Sequence, residues 1–261
     1  MKLRAFAKDL NACAFSPWLK ARRLPAFGLL MIERWNAYSP VKWQPELKIP
    51  ISYGGRSWTL PMRMSSEDYA AFREIFLYRY YDHDLGDPRT ILDLGGYCGY
   101  TALAFSARFP KARIAAVEPH PENFVRLSEN VKMNGLPVSL FEGAATVADG
   151  PVSLYVGGGM THGLKPSSYS TGETIAVRGL SVPTILDQLG WRSVDLLKID
   201  IEGAEEPLFG ARQPWLRQVK TIIGEYHGSY RFPNLKADLE PLGFLATELP
   251  HPNIFLAVRT H

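Results

Sequence analysis

The sequence predicts an α/β fold: a mostly parallel sheet covered on both faces by helices. Three observations predict it. Short apolar runs of strand length alternate with segments of helical spacing from Arg89 to the last residues. The first such run leads directly into a glycine turn, Gly95-Gly96-Tyr97-Cys98-Gly99, that opens the next helix. The chain's 261 residues, 46% apolar and 12% aromatic, suffice for one domain with a sizeable core.

In chain order, residues 1–64 read as an extension of helices and a β-hairpin, and residues 65–261 as the main domain. Residues 1–42 mix basic and aromatic groups (Phe6, Phe15, Trp18, Phe27, Trp35). This pattern suits a helical cap packed on the domain or on a partner. An acceptor-recognition or membrane-surface element is the alternative, and an oligomer could form through this extension. Within residues 49–62, Gly54-Gly55 joins two short strands as a hairpin. Ser65 and Asp68 suit a capping box for a helix over Glu67–Tyr81, where Tyr69, Phe72, Phe76 and Tyr80 recur at helical spacing and read as core. Strands are then expected at Thr90–Leu94, Ala112–Val117, Val138–Phe141, Pro151–Val156, Val194–Ile199 and Thr221–Glu225, with helices at Gly99–Phe109, Glu122–Asn134, Pro183–Leu189 and Leu235–Leu242. Phe244–Glu248 and Ile254–Val258 read as a closing antiparallel pair. Gly157–Thr174, rich in Gly, Ser and Thr, reads as a long loop, with Gly157-Gly158-Gly159 as a hinge for a lid.

Charge and cysteine content narrow the functional classes. Residues 1–42 hold eight Lys and Arg against two Asp and Glu, leaving 21 basic and 24 acidic residues for the remainder. The body thus carries no basic stripe for a polyanion, and no nucleic-acid partner is expected. Cys13 and Cys98 form neither a metal-ligand pair nor a disulfide framework, which predicts a reducing compartment and cytoplasmic location. Lys8 and Asp9 interrupt any signal-peptide core, and the apolar run after Arg22-Arg23 ends at Glu33, too short for a twin-arginine signal. No apolar stretch reaches the length of a transmembrane helix.

The chemistry concentrates in Ile91-Leu-Asp-Leu-Gly-Gly-Tyr-Cys-Gly99, a strand running through glycines into a helix. Glycines allow close backbone approach and positive φ, and the helix N-terminus offers free N–H groups. A dinucleotide site would seat a pyrophosphate here, but its first glycine is missing and Asp93 would repel an anion. A carboxylate in that place suits a cation, such as the ammonium of a methionine moiety, and so favours a sulfonium cofactor. Glu118, at the end of the next strand, is placed to accept the two hydroxyls of a ribose.

ILDLGGYCGYTAL, VEPHPENFVRLSENVKMNG, LLKIDIEGAE and GEYH, in that order and spacing, resemble the FkbM family of methyltransferases over roughly Phe72 to His227. The resemblance implies a Rossmann-like seven-stranded fold, S-adenosyl-L-methionine as donor, and an oxygen acceptor on a small molecule or sugar. It also implies that Asp93, Gly95 and Gly99 line the methionine moiety, that Glu118 takes the ribose, and that Pro119, Gly143 and Ala144 border the adenine. Asn123 would support that loop or cap its helix. Where the family often has Ala-Asn after the first glycine, this chain has Gly96-Tyr97, so Tyr97 would reshape the methionine end.

Methylating an alcohol needs alignment and a base. Asp200 and Glu202 alternate along Lys198-Ile-Asp-Ile-Glu202, and Glu225 and His227 repeat that spacing after the next strand. This constellation predicts His227 as general base with Asp200 or Glu202 orienting the acceptor. Two alternatives are a divalent cation held by the acids, and a structural role with Glu202 at a helix start. His120 reads as a loop residue and His162 as part of the long loop. The competing functions are a methyltransferase acting on nucleic acid or protein, a catalytically silent cofactor-binding interaction module, and a dehydrogenase.

Overall fold

The computed structural model describes residues 46–63, 66–157 and 170–260. The readings of residues 1–42, of Ser65 in a capping box, of His162 and of Gly158-Gly159 as a hinge lie outside the described residues.

Strands β1 (Glu46–Tyr53) and β2 (Arg56–Arg63) form an antiparallel hairpin with Ile49 opposite Leu60 and Ile51 opposite Trp58. Gly54 and Gly55 turn it at φ +58° and +75°, a left-handed pair that glycine adopts without steric cost. Helix α1 (Ser66–Phe72) follows and passes into one π-helical turn, Arg73–Leu77. The helix expected to reach Tyr81 therefore ends early. Tyr78 N–H reaches back to Arg73 O at 2.7 Å, and Arg79 takes φ +58°, which no right-handed helix accommodates. Tyr69, Phe72 and Phe76 are buried, while Tyr80 lies beyond the helix and packs on His251.

The main sheet has seven strands: β3 (Thr90–Leu94), β4 (Arg113–Glu118), β5 (Val138–Glu142), β9 (Val194–Ile199), β10 (Val219–Glu225), β11 (Phe244–Glu248) and β12 (Ile254–Arg259). Their order is β11-β12-β10-β9-β3-β4-β5, with β12 antiparallel to both its neighbours and the other pairs parallel. This is the Rossmann-like sheet with a closing antiparallel pair. Helices α2 (Tyr100–Arg108) and α3 (Pro121–Met133) share one core with the hairpin and α1, so residues 49–62 pack into the domain rather than standing apart from it. Helices α4 (Val182–Leu189), α5 (Glu205–Gly210) and α6 (Phe232–Leu239) build a second core with Leu92, Leu94, Leu197 and Phe255. Alternation along β3 gives Leu92 and Leu94 to this second core and turns Ile91 and Asp93 to the opposite face.

A separate three-stranded sheet contains β6 (Ala144–Thr146), β7 (Gly150–Gly157) and β8 (Ser170–Ser181) in the order β6-β8-β7. The expected loop thus lies inside a hairpin, and its last residues, Ser170–Thr174, belong to β8. Residues 172–178 are all exposed or half-buried, and only Ile175 and Val177 turn partly inward, so the apolar alternation that marks this strand is short and weak.

Candidate active site

Strand order reverses between β3 and β9: the chain runs outward from β3 to β4 and β5, then returns to β9 on the other side. The crevice beyond the strand ends at such a point is where open α/β sheets bind ligands. A cleft of about 910 Å³, its open mouth included, lies there. Gly95, Tyr97, Glu118, Pro119, Asn123 and Ala144 line one part of it, and Asp200 and Glu202 another.

The glycine turn is fixed by the sheet itself. Gly95 and Gly96 N–H both bond Val117 O, at 3.0 and 2.9 Å, and Asp200 N–H bonds Leu94 O at 3.0 Å. A Cβ on Gly95 would lie 1.8 Å from Asp200 O, and Gly95 has φ +85°. The close approach that requires this glycine is therefore to the end of β9. Gly99 begins α2 at φ +89° and faces Leu127 of α3, and Gly143 faces Arg178 O and Leu180; neither borders the cleft.

Asp93 requires a correction. Its side chain was expected to meet the donor's ammonium, yet it is wholly buried and outside the cleft wall. Asp93 and Lys198 are register partners on adjacent parallel strands, so their side chains share a face. Lys198 Nζ lies 3.0 Å from Asp93 Oδ1 and donates to Gly95 O at 2.5 Å, while Thr101 donates to Asp93 Oδ2 at 2.5 Å. Burial works against the lysine's charge, but Asp93 and Asp200 outweigh it and hold the ammonium above the usual lysine range. Lys198 itself borders the cleft, whereas Asp93 does not.

Glu118 is 5% exposed but faces the cleft. It accepts N–H bonds from Tyr97 (2.8 Å, to Oε2) and His120 (3.0 Å, to Oε1), with Asn123 Nδ2 at 3.5 Å. Burial pushes its carboxyl up to about 7, against the pull of these donors. A carboxylate has about four acceptor sites, which leaves room on Oε2 for a ligand hydroxyl.

The far wall is acidic. Asp200, Glu202 and Glu225 come from the ends of β9 and β10, although the strands stop before Asp200 and His227, and Glu202 sits in a turn at φ +52° rather than at a helix start. His227 Nε2 lies 3.7 Å from Asp200 Oδ1, 3.7 Å from Glu202 Oε2 and 3.5 Å from Glu225 Oε2, and its Nδ1 is 2.9 Å from Glu205 Oε1. Neither Glu225 nor His227 lines the cleft, although both adjoin Asp200 and Glu202, which do. Burial disfavours the imidazolium, but bonds to Glu205 and Glu225 and the charges of Glu205 and Asp200 lift His227 to about 12. An imidazole held protonated at neutral pH has no lone pair for a substrate proton, which weighs against the expected role of His227 as base. The ligand atoms of Asp200, Glu202 and His227 fall within 4.8 Å of one another.

Residues 87–247 match the methyltransferase FkbM domain family. The chain belongs to the FkbM methyltransferase family. This FkbM methyltransferase is 26% identical over 209 residues to Methyltransferase sdnD of Sordaria araneosa, covering 66% of this chain and 80% of that one. It is 25% identical over 207 residues to the AMB antimetabolite synthetase AmbE of Pseudomonas aeruginosa, covering 64% of this chain but 10% of AmbE. A solved FkbM methyltransferase from Methylobacillus flagellatus superposes with a TM-score of 0.48 at 16% identity, over 71% of this chain and 47% of that one. Among the described residues, no helix is long and apolar enough to cross a membrane.

Two groups of this methyltransferase's cleft escaped the sequence reading. Glu74 lines it from the π-turn. Burial, then the charges of Glu225 and Asp200, push its carboxyl up to about 8. A regular helical wheel does not single out Glu74, which lies within the π-turn Arg73–Leu77 that the helical spacing does not anticipate. Lys198 could have been found: a lysine inside the apolar run Val194–Ile199 needs a carboxylate, and Asp93 on the neighbouring strand supplies it.

Proposed function

We propose that this methyltransferase binds S-adenosyl-L-methionine between the glycine turn and Glu118, and methylates a hydroxyl oxygen of a small molecule or sugar at the acidic wall. The observation that carries the reading is the pairing, in one cleft, of a buried ribose-accepting carboxylate with a second set of carboxylates poised to take a proton. When bound, the donor supplies an electrophilic methyl group on a sulfonium.

The chain's own residues do the rest. Glu118 orients the ribose, and the Gly95-Gly96 turn leaves its rim open to the methionine end. Glu202 and Glu74 flank the acceptor side. Burial, against the opposing charge of His227, places Glu202 at about 7, and Glu74 lies at about 8. Carboxylates tuned close to working pH are effective bases for a weakly acidic hydroxyl. As the new C–O bond forms and the S–C bond breaks, one of them takes the hydroxyl proton. Asp200, which accepts from Tyr81 Oη at 3.4 Å, is placed to orient the acceptor. The domain of residues 65–261 would carry this reaction with the hairpin of the extension packed beneath it.

The test is transfer from methyl-labelled donor to a panel of sugars and hydroxylated natural products. We expect O-methylation of at least one member, and a turnover loss of about 100-fold in Glu202→Gln or Glu74→Gln with S-adenosylhomocysteine affinity kept within about threefold. Methylation confined to amine or carbon acceptors, or full turnover in the Glu202→Gln/Glu74→Gln double variant, would refute the oxygen-acceptor mechanism.

A further inference from the structure

Tyr97 is an unusual residue for its backbone. Its φ of +48° lies in the left-handed region, where a side chain costs about 1–2 kcal/mol and where only Gly, and to a lesser degree Asn or Asp, sits routinely. Something must hold a tyrosine in that conformation, and the structure shows what does.

Its N–H is bonded to Glu118 Oε2, and its phenol donates to Asp68 Oδ1 at 2.7 Å. Asp68, 1% exposed, also accepts from the backbone N–H of Arg63 at 2.8 Å and from its Nη2 at 2.7 Å. The same Nη2 reaches Tyr97 Oη at 3.1 Å and Asn123 Oδ1 at 3.2 Å. Taking the Asn123 carbonyl in this way turns its Nδ2 toward Glu118 Oε1. The bonds close into a ring, Arg63–Asp68–Tyr97–Glu118–Asn123–Arg63. Two of the three donors on Glu118 are thus aimed by Arg63 and Asp68, residues that precede the family match at 87–247.

The geometry points to Arg63, Asp68 and Tyr97 as positioning residues for the donor's ribose: a clamp from the hairpin and α1 that holds Glu118 in the orientation that reads the ribose hydroxyls. The inference rests on the proposed role of Glu118 and extends it to a segment outside the family domain. The clamp holds the left-handed Tyr97 by an anchor 29 residues away in sequence. It also predicts that residues 87–247 alone would lack full donor selectivity.

The experiment is calorimetric binding of S-adenosylhomocysteine and its 2′-deoxy analogue to the full chain and to Asp68→Asn and Tyr97→Phe. We expect the wild type to prefer the ribose ligand by about tenfold or more, the worth of a charge-assisted hydrogen bond. In both variants the preference should fall below about threefold. A purely structural role would lower affinity for the two ligands alike and leave their ratio unchanged. Should Asp68→Asn fail to fold, Tyr97→Phe, which removes only one oxygen, carries the test alone. If the wild type discriminates and a folded variant discriminates equally, the clamp is overturned while the donor reading stands. If the wild type itself does not discriminate, both fall together.

Discussion

Replacing Lys198 by Met tests the charge arrangement beneath the cleft. The ammonium is 2% exposed and its partner Asp93 0%, at 3.0 Å. It also donates to Gly95 O at 2.5 Å, with Leu94 O at 3.5 Å. Removing one member of a buried pair leaves the other uncompensated, at about 3–5 kcal/mol. For a domain of this size each kcal/mol moves the melting temperature by about 2–4 °C, so Lys198→Met should melt about 6–20 °C lower at pH 8. Without the ammonium, burial raises the Asp93 carboxyl further above its unfolded value. A group raised in the folded state contributes stability present below its unfolded pKa and lost as pH rises through the folded one. The deficit of Lys198→Met should therefore shrink between pH 8 and pH 5. Adding Asp93→Asn should recover more than half of it at pH 8, because the stranded charge is gone. Thermal unfolding of wild type, both single variants and the double variant at the two pH values decides it. A loss under about 1 kcal/mol in Lys198→Met, or strict additivity in the double variant, would refute the pairing argument.

Two other predictions concern the acidic wall. Turnover should rise with pH, close to tenfold per unit below about 7 and levelling above about 8, as Glu202 and Glu74 ionise; a flat rate profile from pH 6 to 9 would exclude a carboxylate base. His227→Asn removes the cation among Asp200, Glu202, Glu205 and Glu225, so it should cost about 2 kcal/mol of stability and move the midpoint of the rate profile to higher pH. An unmoved midpoint would show that His227 does not set the charge of the wall.

Much of the fold was legible because periodicity and glycine punctuation survive in a single chain. Val194–Ile199 reads as a buried strand and proves to be one, and Phe244–Glu248 with Ile254–Arg259 closes the sheet as the pattern predicts. What escaped depends on information that is not local. The first part of β8, residues 172–178, is exposed or half-buried, with only Ile175 and Val177 turned partly inward, so its apolar alternation is short and weak. The end of the helix before Tyr81 depends on a π-turn and on Arg79 at positive φ. Asp93 could be named from the motif, but its partner requires the register between β3 and β9. His227 was correctly grouped with its acids, yet spacing could not reveal how many carboxylates surround it. With Glu205 wholly buried behind the ring, the count reaches four, and those charges favour the protonated imidazole.

The same excess of carboxylates has a consequence for the donor's charge. Glu74, Asp200, Glu202, Glu205 and Glu225 stand close together against the cation of His227, while Lys198 is committed to Asp93. A wall of this sign favours a sulfonium over the neutral thioether that remains after transfer. On the proposed oxygen-acceptor reading, once one carboxylate has taken the acceptor's proton, the positive charge has moved from sulfur to that proton, and the wall no longer holds the product by charge. S-adenosylmethionine should accordingly bind more tightly than S-adenosylhomocysteine at pH 9, by about tenfold for a net charge felt at an effective dielectric of about 20. The ratio should shrink toward unity as Glu74 and Glu202 protonate below about 7. Competition binding of the two ligands across pH 6 to 9 measures it directly. A ratio independent of pH would mean that the acids act on the acceptor alone and that the donor is recognised by shape and by Glu118.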